Sequence, residues 1–207
     1  MAIKYCIWDV GKVIYGYSLR PLKHLLYGLT LNLEACRQKN FSFCFDDYMK
    51  GAYGFSELCH RLCDFYFVPW TPQTEEQIRQ AFFDGIGEFY PETKKLQQTM
   101  LNRGIQNCIL SNALPILSDS VSIPSICPEH IFCSFELGLL KPDPQIFHAV
   151  RHRLGCRFNE IVFIDDKEKN TAAAAALGIF AITFDRWTIE EKLLNLTKDQ
   201  DLPYEKS

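Results

Sequence analysis

The residues best suited to chemistry lie in four short groups that are far apart along the chain. The first group begins with Asp9 and includes Gly11. Residues 3–8, which precede it, form a short apolar and β-rich run, as in a buried parallel strand that ends at the carboxyl edge of a sheet. An acidic residue followed by a flexible glycine at that edge could face a ligand in the crevice there. Aspartate also ends many strands for reasons of turn chemistry, so this group alone supports both interpretations.

Two further groups could bind and neutralise an anion. Ser111 and Asn112 follow another apolar run. A hydroxyl with exposed backbone N–H groups at a strand end can bind phosphate oxygens, although it can equally cap a helix. Lys141 follows an apolar stretch and precedes Pro142, which restricts the shape of the loop. A positive charge held there could neutralise a phosphate and an attacking carboxylate, whereas a solvated lysine is the ordinary interpretation without that context.

The fourth group is the most informative, because it places two carboxylates side by side. Asp165 and Asp166 end the buried strand predicted at residues 161–164, and Asn170 follows them. Adjacent carboxylates repel each other unless a positive charge lies beside them. Together with Asp9 they offer only oxygen ligands, which suits a hard cation that keeps several waters. The sequence therefore predicts a Mg²⁺ site here, with a purely structural acidic pair as the alternative.

Positioning these groups requires strands that end at one edge of a sheet. Other short apolar runs with strand character occupy residues 107–110, 131–134 and 179–184. Helical patterns separate most of the strands and occupy residues 91–102, 144–154 and 171–177. A glycine follows each of these helices as a stop signal. Strands that alternate with helices predict an α/β fold with a doubly wound, Rossmann-like parallel sheet. We expect residues 1–16 and 88–207 to form this core domain.

Residues 17–87 differ from the rest of the chain. They show no convincing strand pattern, many aromatic residues, and helical spacing of apolar positions. Ser56 and Thr74 are the predicted helix N-caps, because a hydroxyl there can accept a hydrogen bond from an exposed backbone N–H. We expect this segment to be a helical cap subdomain that covers the edge of the sheet.

Composition narrows the choice of partners. The chain has 207 residues, of which 47% are hydrophobic and 23% charged, ordinary values for a globular protein. A formal net charge of −3 gives no reason to expect a nucleic-acid or membrane partner. No apolar run approaches the roughly 20 residues of a membrane helix. Nine irregularly spaced cysteines without a CxxC pair favour free thiols in a reducing compartment over a zinc site. We therefore expect a cytoplasmic protein, either a monomer or a homodimer, that acts on a small molecule.

The order of the four groups resembles the motif order of the haloacid dehalogenase-like hydrolases. This resemblance spans nearly the whole chain, with residues 17–87 in the place of that superfamily's type 1 helical cap. The segments that carry it are WDVGKVI, ILSNA, GLLKPDPQIF and VFIDDKEKN. They look most like a bacterial subgroup of small sugar-phosphate phosphatases that includes an α-D-glucose-1-phosphate phosphatase. The resemblance implies a Mg²⁺-dependent phosphatase acting on a small phosphorylated metabolite, with sugar phosphates among the candidates.

The resemblance also implies a role for each residue near the metal. Asp9 would attack phosphorus and form an aspartyl-phosphate, which splits one displacement into two easier ones. Its other carboxylate oxygen would bind Mg²⁺ together with the backbone carbonyl of Gly11. Asp166 would be the direct metal ligand in preference to Asp165, which would reach the ion through water or directly.

The remaining motif residues would act on the phosphoryl group and its surroundings. Ser111 and the backbone N–H of Asn112 would hold phosphate oxygens. Lys141 would offset charge on Asp9 and on the phosphoryl group, and Asn170 would orient a metal-bound water. Catalysis of this kind rests on positioning and electrostatics.

The match fails at two neighbouring positions. Most phosphatases of the superfamily carry a second aspartate two residues after the nucleophile, which protonates the leaving oxygen and later activates water. Here that residue is Gly11, and Lys12 stands where a small residue or asparagine is usual. We therefore expect either a preference for leaving groups that need no proton, such as aryl or acyl phosphates, or rescue by a residue of the cap. The candidates for substrate selection are aromatic: Tyr15, Tyr17, Tyr53 and Phe55.

Two other functions stay open at this point. A haloacid dehalogenase also lacks the second aspartate, but such enzymes use no metal and have Ser and Asn where this chain has Asp165 and Asp166. A catalytically silent relative would use the same scaffold to bind a phosphorylated metabolite or a protein. Gly11 and Lys12 motivate that alternative, and the intact motifs elsewhere speak against it.

Overall fold

The computed structural model describes residues 2–36, 43–120 and 126–198, and all that follows refers to them. The strands are β1 Tyr5–Trp8, β2 Tyr15–Tyr17, β3 Ile86–Phe89, β4 Gln106–Ser111, β5 Ile131–Cys133, β6 Ile161–Asp165 and β7 Phe180–Thr183. The helices are α1 Arg20–Leu29, α2 Leu33–Cys36, α3 Phe43–Met49, α4 Phe55–Tyr66, α5 Pro72–Phe83, α6 Pro91–Asn102, α7 Ser134–Leu137, α8 Pro144–Leu154, α9 Glu168–Ala176 and α10 Ile189–Thr197.

The main sheet has five strands in the order β5-β4-β1-β6-β7. Every neighbouring pair is parallel, with β1 in the centre between β4 and β6. Parallel strands need crossover connections, and here helices supply them, which confirms the predicted doubly wound α/β core. The five strands fall within one or two residues of the predicted runs, whereas α9 begins three residues before the predicted helix at 171–177.

Side chains of β1 alternate between the two faces of this sheet. Cys6 and Trp8 pack on one face in a buried cluster with residues of α6 and α10. Ile7 packs on the other face with residues of α8 and α9. Trp8 is fully buried, and its indole Nε1 donates to Asn107 Oδ1 at 2.9 Å. Helices on both faces therefore explain why β1 is continuously apolar, and the bond from Trp8 fixes its end beside Asp9.

The cap helices, α1 to α5, lie in sequence between β2 and β3. Residues of α1, α3, α4 and α5 form a buried apolar cluster, which Leu114 joins from the core. Strands β2 and β3 pair antiparallel, Tyr15 with Phe89 and Tyr17 with Ile86. The expectation that residues 17–87 lack strands was therefore wrong at both ends of the segment. These two strands are too short for an alternation of apolar and polar residues to appear in the sequence. They also lie close together, since a Cβ added to Gly87 would be 3.0–3.1 Å from the backbone of Gly16. The exact division at residues 17 and 87 stays a prediction.

Two cap helices begin at residues other than the predicted ones. Helix α4 begins one residue before Ser56, and the Ser56 hydroxyl donates instead to the Glu75 carboxylate at 2.8 Å. Helix α5 begins at Pro72, and its N-cap is Thr71, whose hydroxyl accepts from the Thr74 N–H at 3.0 Å. Proline fits the first position of a helix because its missing N–H would have no partner there. The start of α5 therefore lies before Thr74.

The C-terminal end of α3 is bound to the core. Ser134 Oγ donates to the Met49 carbonyl at 2.7 Å and accepts from the Ala113 N–H at 3.1 Å. The Tyr48 hydroxyl accepts from the Ile116 N–H at 3.1 Å. These bonds hold the last turn of α3 against loops that follow β4 and β5.

The cysteines whose side chains the structure describes are all unpaired: Cys6, Cys44, Cys59, Cys63, Cys108, Cys127, Cys133 and Cys156. Six of them are buried, and burial raises the pKa of thiols such as Cys59 and Cys108 to about 12. Such thiols pack as small apolar side chains. None of the helices in the described ranges is long and apolar enough to cross a membrane.

Candidate active site

Three of the four predicted groups meet at the carboxyl ends of the central strands. Asp9 directly follows β1, Ser111 ends β4 and Asp165 ends β6. The Asp9 N–H donates to the Ile164 carbonyl at 2.8 Å, so the chain keeps its strand register up to the acidic residue. Asp9, Ser111 and Asp165 are all buried. Carboxyl ends of adjacent parallel strands lie at one edge of a sheet, and ligands bind there in α/β folds.

Lys141, the fourth predicted group, brings its ammonium into this cluster. Its side chain is fully buried, and Nζ donates to Asp9 Oδ1 at 2.7 Å and to Asp165 Oδ2 at 2.7 Å. The third acceptor is the Leu110 carbonyl at 2.6 Å. An ammonium has three donors, so all of them are used. The interpretation of Lys141 as a solvated surface residue is therefore excluded.

The Asn112 side chain holds the backbone of Lys141. Asn112 Nδ2 donates to the Lys141 carbonyl at 2.9 Å, and Asn112 Oδ1 accepts from the Lys141 N–H at 2.9 Å. The resemblance implied a role only for the backbone N–H of Asn112, so this side-chain contact was not predicted. An amide side chain carries one acceptor beside two donors, so it can bind both polar groups of one residue. The amide side chain of Asn112 is therefore the feature of the sequence from which this contact could have been predicted.

Asp165 and Asp166 have different surroundings. Asp165 is fully buried, with Oδ1 accepting from the Lys167 N–H at 2.9 Å and Oδ2 from Lys141. Both oxygens also lie 2.9 Å from Asn170 Nδ2. Asp166 is half-buried and keeps more of its surface toward solvent. Among the described residues, Asp165 is thus occupied by protein donors, whereas Asp166 is the more open carboxylate.

The cluster carries more negative than positive charge. Burial raises the pKa of the Asp9 carboxyl; Lys141 opposes that rise and Asp165 adds to it. Burial also raises the pKa of Asp166, with Lys167 opposing the rise and Asp165 adding to it. One buried ammonium faces three carboxylates, so a further cation would favour their ionised forms.

The donor set fits a hard divalent cation. Asp9, Asp165 and Asp166 each offer a carboxylate oxygen, and these atoms lie within 4.8 Å of one another. Asn170 Oδ1 is buried and has no hydrogen-bond partner among the described residues. A buried acceptor without a donor is costly, and a water bound to a cation in the cluster would supply one. The residues present therefore fit Mg²⁺.

Gly11 and Lys12 lie at the same edge. A Cβ added to Gly11 would meet only Tyr17 Cβ at 4.0 Å, so packing does not exclude a side chain there. Lys12 has φ +64°, in the left-handed region that costs roughly 1–2 kcal/mol for residues other than glycine. Its side chain is exposed, and its charge opposes part of the rise that burial causes in the pKa of Asp166. Lys12 therefore acts electrostatically on the cluster although solvent surrounds it.

A cleft of about 440 Å³ opens beside Lys141, between the end of α3 and the loops around Lys141 and Lys167. The residues that line it from the cap are Asp46, Met49 and Lys50. The four aromatic candidates are not among its lining residues. Tyr17, Tyr53 and Phe55 pack against the apolar cluster of the cap instead, and Tyr15 packs edge-on against Phe89. Their part in substrate selection stays a prediction.

The chain matches one protein family over most of its length. The family described as haloacid dehalogenase-like hydrolase matches residues 47–178. The mouse protein acyl-CoA dehydrogenase family member 10 is 34% identical over 115 residues, which are 55% of this chain and 10% of that protein. Phosphoserine phosphatase of Thermus thermophilus is 26% identical over 122 residues, which are 56% of this chain and 49% of that protein. The alignments thus span about a tenth and about half of these relatives.

A solved structure extends the similarity to the fold as a whole. A HAD family enzyme of Bacteroides thetaiotaomicron, crystallised with magnesium and inorganic phosphate, superposes with a TM-score of 0.72. The match covers 89% of this chain and 95% of that chain at 23% sequence identity. This likeness concerns the fold alone.

Proposed function

The chain belongs to the haloacid dehalogenase-like hydrolase family, and we propose that within it the protein is a Mg²⁺-dependent phosphatase with Asp9 as its nucleophile. The observation that carries this proposal is the Lys141 ammonium, buried and bonded to both Asp9 and Asp165 at 2.7 Å. A buried charge costs free energy unless it is paired, and this one is paired to the residue that would attack. The phosphatase and the magnesium complex among its relatives agree with the proposal.

Asp9 would act by forming a covalent intermediate. One of its carboxylate oxygens forms a bond to phosphorus while the bond from phosphorus to the leaving oxygen breaks, and that oxygen keeps the electron pair. Water then attacks phosphorus, which regenerates the Asp9 carboxylate and releases inorganic phosphate. Mg²⁺, when bound, neutralises charge on the phosphoryl oxygens.

The other residues of the site would hold the phosphoryl group and offset its charge. Ser111 and the Asn112 N–H bind its oxygens, and Lys141 lies beside the attacking carboxylate. Asp9, Asp166 and the Gly11 carbonyl would hold the metal, and Asn170 Oδ1 would accept a hydrogen bond from a water beside it. Asp166 is assigned as the direct ligand because the oxygens of Asp165 already accept bonds from Lys141, Lys167 and Asn170.

Residues 17–87 would be the cap of this enzyme. In support, helices α1 to α5 lie within them, and Met49 and Lys50 face Lys141 across the cleft. A cap in this position excludes bulk water and supplies contacts to the part of the substrate that leaves. Its residues would therefore set the substrate preference.

The experiment that tests the proposal is phosphate release from p-nitrophenyl phosphate, with Mg²⁺ or with EDTA. Asp9→Asn keeps the shape of the side chain and removes the nucleophile. We expect turnover by the native protein with Mg²⁺, and a loss of at least about 10³-fold in EDTA or in the variant, since the covalent step is then blocked. Turnover that is indifferent to both metal and substitution would refute the mechanism.

A second candidate function is binding of a phosphorylated ligand without turnover. Gly11 and Lys12 favour it, because the usual proton-transfer residue is missing and a lysine stands beside the gap. A binding protein of this kind would take up phosphate analogues with Mg²⁺ yet release no phosphate from aryl or acyl esters. Dehalogenation is disfavoured, because Asp165 and Asp166 would oppose attack by a third carboxylate in the absence of a metal.

A further inference from the structure

The cleft beside Lys141 offers cations that the phosphoryl site does not use. The lysines that line it are Lys50, Lys141, Lys167 and Lys169. Lys141 is bound to Asp9 and Asp165, whereas the side chains of Lys50, Lys167 and Lys169 make no ion pair with any described residue. The volume of the cleft, about 440 Å³, is within the range of small-molecule sites, roughly 300–1,000 Å³, and the three carboxylates of the cluster are not among its lining residues.

The two acidic residues of the cleft offset only part of the charge of its four lysines. Asp46 and Asp143 are the lining carboxylates. Asp143 caps α8, where its Oδ1 accepts from the Gln145 N–H at 2.9 Å. Lys167 is next to Asp166 in the chain, and its charge opposes the rise that burial causes in the pKa of that carboxyl. Lys50 from the cap and Lys169 from the core are therefore the cations most available to a ligand.

The backbone at Lys50 is held at the mouth of the cleft. Lys50 follows α3 directly, and the preceding carbonyl, that of Met49, accepts a bond from Ser134 in the core. Gly51, with φ +74°, packs so closely that a Cβ would lie 2.7 Å from the Phe135 carbonyl oxygen. Contact on both sides of Lys50 fixes where its side chain starts. A side chain that starts from a fixed backbone loses less conformational freedom on binding than one on a mobile backbone.

We infer that this cleft binds a second anionic group of the substrate, through Lys50 and Lys169. The inference rests on the proposed phosphatase function and names its substrate class: a phosphate monoester that also carries a carboxylate or a second phosphate. The reacting phosphate is held at Ser111 and Lys141, and the second anion lies toward the cap. Both kinds of anion accept the same charge-assisted hydrogen bonds from an ammonium.

The test compares non-hydrolysable ligands by calorimetry in the presence of Mg²⁺. Propylphosphonate carries one anionic group, and 3-phosphonopropionate has a carboxylate in place of its terminal methyl. Propane-1,3-diphosphonate supplies the phosphate arm. We expect at least one doubly anionic ligand to bind about tenfold more tightly than propylphosphonate, and the tighter of the two identifies the second anion.

Charge-neutral variants assign this preference to the cleft. Lys50→Gln and Lys169→Gln are expected to bring the ratio of affinities close to one, while Lys192→Gln, an exposed lysine on α10, leaves it unchanged. The inference is overturned if native protein binds all three ligands equally, or if the ratio survives both cleft variants. Binding of these ligands requires no turnover, so the result does not depend on phosphate release. A failure to release phosphate would refute the proposed function, whereas equal binding of the three ligands would refute the second anion site.

Discussion

Lys141 is the residue on which the charge balance of the site depends. Its ammonium touches the end of β1 through Asp9, the end of β4 through the Leu110 carbonyl and the end of β6 through Asp165. Removing one partner of a buried ion pair leaves the other charge without compensation, which usually costs more than the pair contributes. Structure and chemistry are therefore coupled at this position.

Lys141→Met keeps the length of the side chain and removes its charge. We expect the metal-free protein to lose about 3–5 kcal/mol in its free energy of unfolding, because Asp9 and Asp165 stay buried without a cation. Urea denaturation in EDTA measures this loss, and Mg²⁺ should recover part of it. Lys192→Met at an exposed position is the control, with a change within about 0.5 kcal/mol. A loss in Lys141→Met as small as that of the control would contradict the pairing.

Gly11→Asp tests what the missing proton-transfer residue costs. The space around Gly11 admits a side chain, and its backbone has no positive φ. We expect the variant to hydrolyse alkyl phosphates about 10²-fold faster than the native protein, with a smaller change for aryl phosphates, since only alkoxide leaving groups need a proton. Gly11→Asn has a similar shape without an ionisable group. An equal gain in both variants would show that proton transfer is not the cause.

The acidic cluster should make the metal-free protein less stable as the pH rises. The pKa values of Asp9 and Asp166 are raised in the folded protein, so above pH of about 4 the folded state binds more protons than the unfolded chain. Stability then falls as the pH increases from about 4 toward those raised pKa values. Asp166→Asn should flatten this slope and stabilise the metal-free protein at neutral pH by roughly 0.5 kcal/mol. Urea titrations in EDTA at several pH values measure the change of stability with pH, and Asp64→Asn is the control. The same slope in Asp166→Asn as in the native protein would contradict this prediction.

At the scale of elements, α3 connects the cap to the sheet edge. One hydroxyl, that of Ser134, bonds to both Met49 of the cap and Ala113 of the core. The position of the cleft thus depends on a contact between elements that are distant in sequence. Apolar packing of the cap alone would not fix it, since apolar contacts have no preferred direction.

Ser134→Ala should loosen α3 from the core. The Met49 carbonyl and the Ala113 N–H lose their partner, which costs about 1–3 kcal/mol for each buried group that stays unsatisfied. We expect KM for a cleft-binding substrate to rise more than kcat falls, because the carboxylate cluster is untouched. Steady-state kinetics measure the two effects separately. Ser56→Ala, which removes a hydroxyl on the outer surface of the cap, should leave both parameters as they are; a fall in kcat alone in Ser134→Ala would contradict this role.

The sequence predicted elements well where their patterns were long and poorly where they were short. Helices α6 and α8 match their predicted bounds because Pro91 and Pro144 begin them at a position that favours proline. Strands β2 and β3 were missed because three or four residues with a central glycine carry too little pattern. The start of α5 was misplaced because Thr71 and Thr74 are both capable caps, and Pro72 decides between them.

At the scale of the whole molecule, the parallel sheet brings four distant groups to one edge. That much follows from sequence, since each group comes at the end of a predicted strand or in the loop before a predicted helix. The cleft and its lysines did not follow from it. An exposed lysine has no distinguishing pattern, and Lys50 becomes relevant only because α3 is folded back over the loop at Lys141. Such pairings depend on the path of the chain between elements.

Mg²⁺ should stabilise the whole molecule, because its proposed ligands Asp9 and Asp166 directly follow the neighbouring strands β1 and β6. A ligand that binds only the folded state at 100 times its Kd adds about 2.7 kcal/mol to the free energy of unfolding. We expect Tm to rise with the concentration of Mg²⁺, and to rise much less in Asp9→Asn or Asp166→Asn. Scanning calorimetry measures the shift. The control Asp64→Asn should show the same rise in Tm as the native protein. A rise of that size in Asp9→Asn and Asp166→Asn would show that the metal binds elsewhere.

The clamp between Asn112 and Lys141 means that two motifs behave as a single mechanical part. Asn112 follows Ser111, whose hydroxyl is proposed to hold the phosphate. Its side chain is hydrogen-bonded to both the N–H and the carbonyl of Lys141. A shift of β4 along its axis would therefore also move the backbone of Lys141. The proposed phosphate-binding residues and the lysine beside the proposed nucleophile are thus linked. A substitution in one of these two motifs would therefore also affect the other.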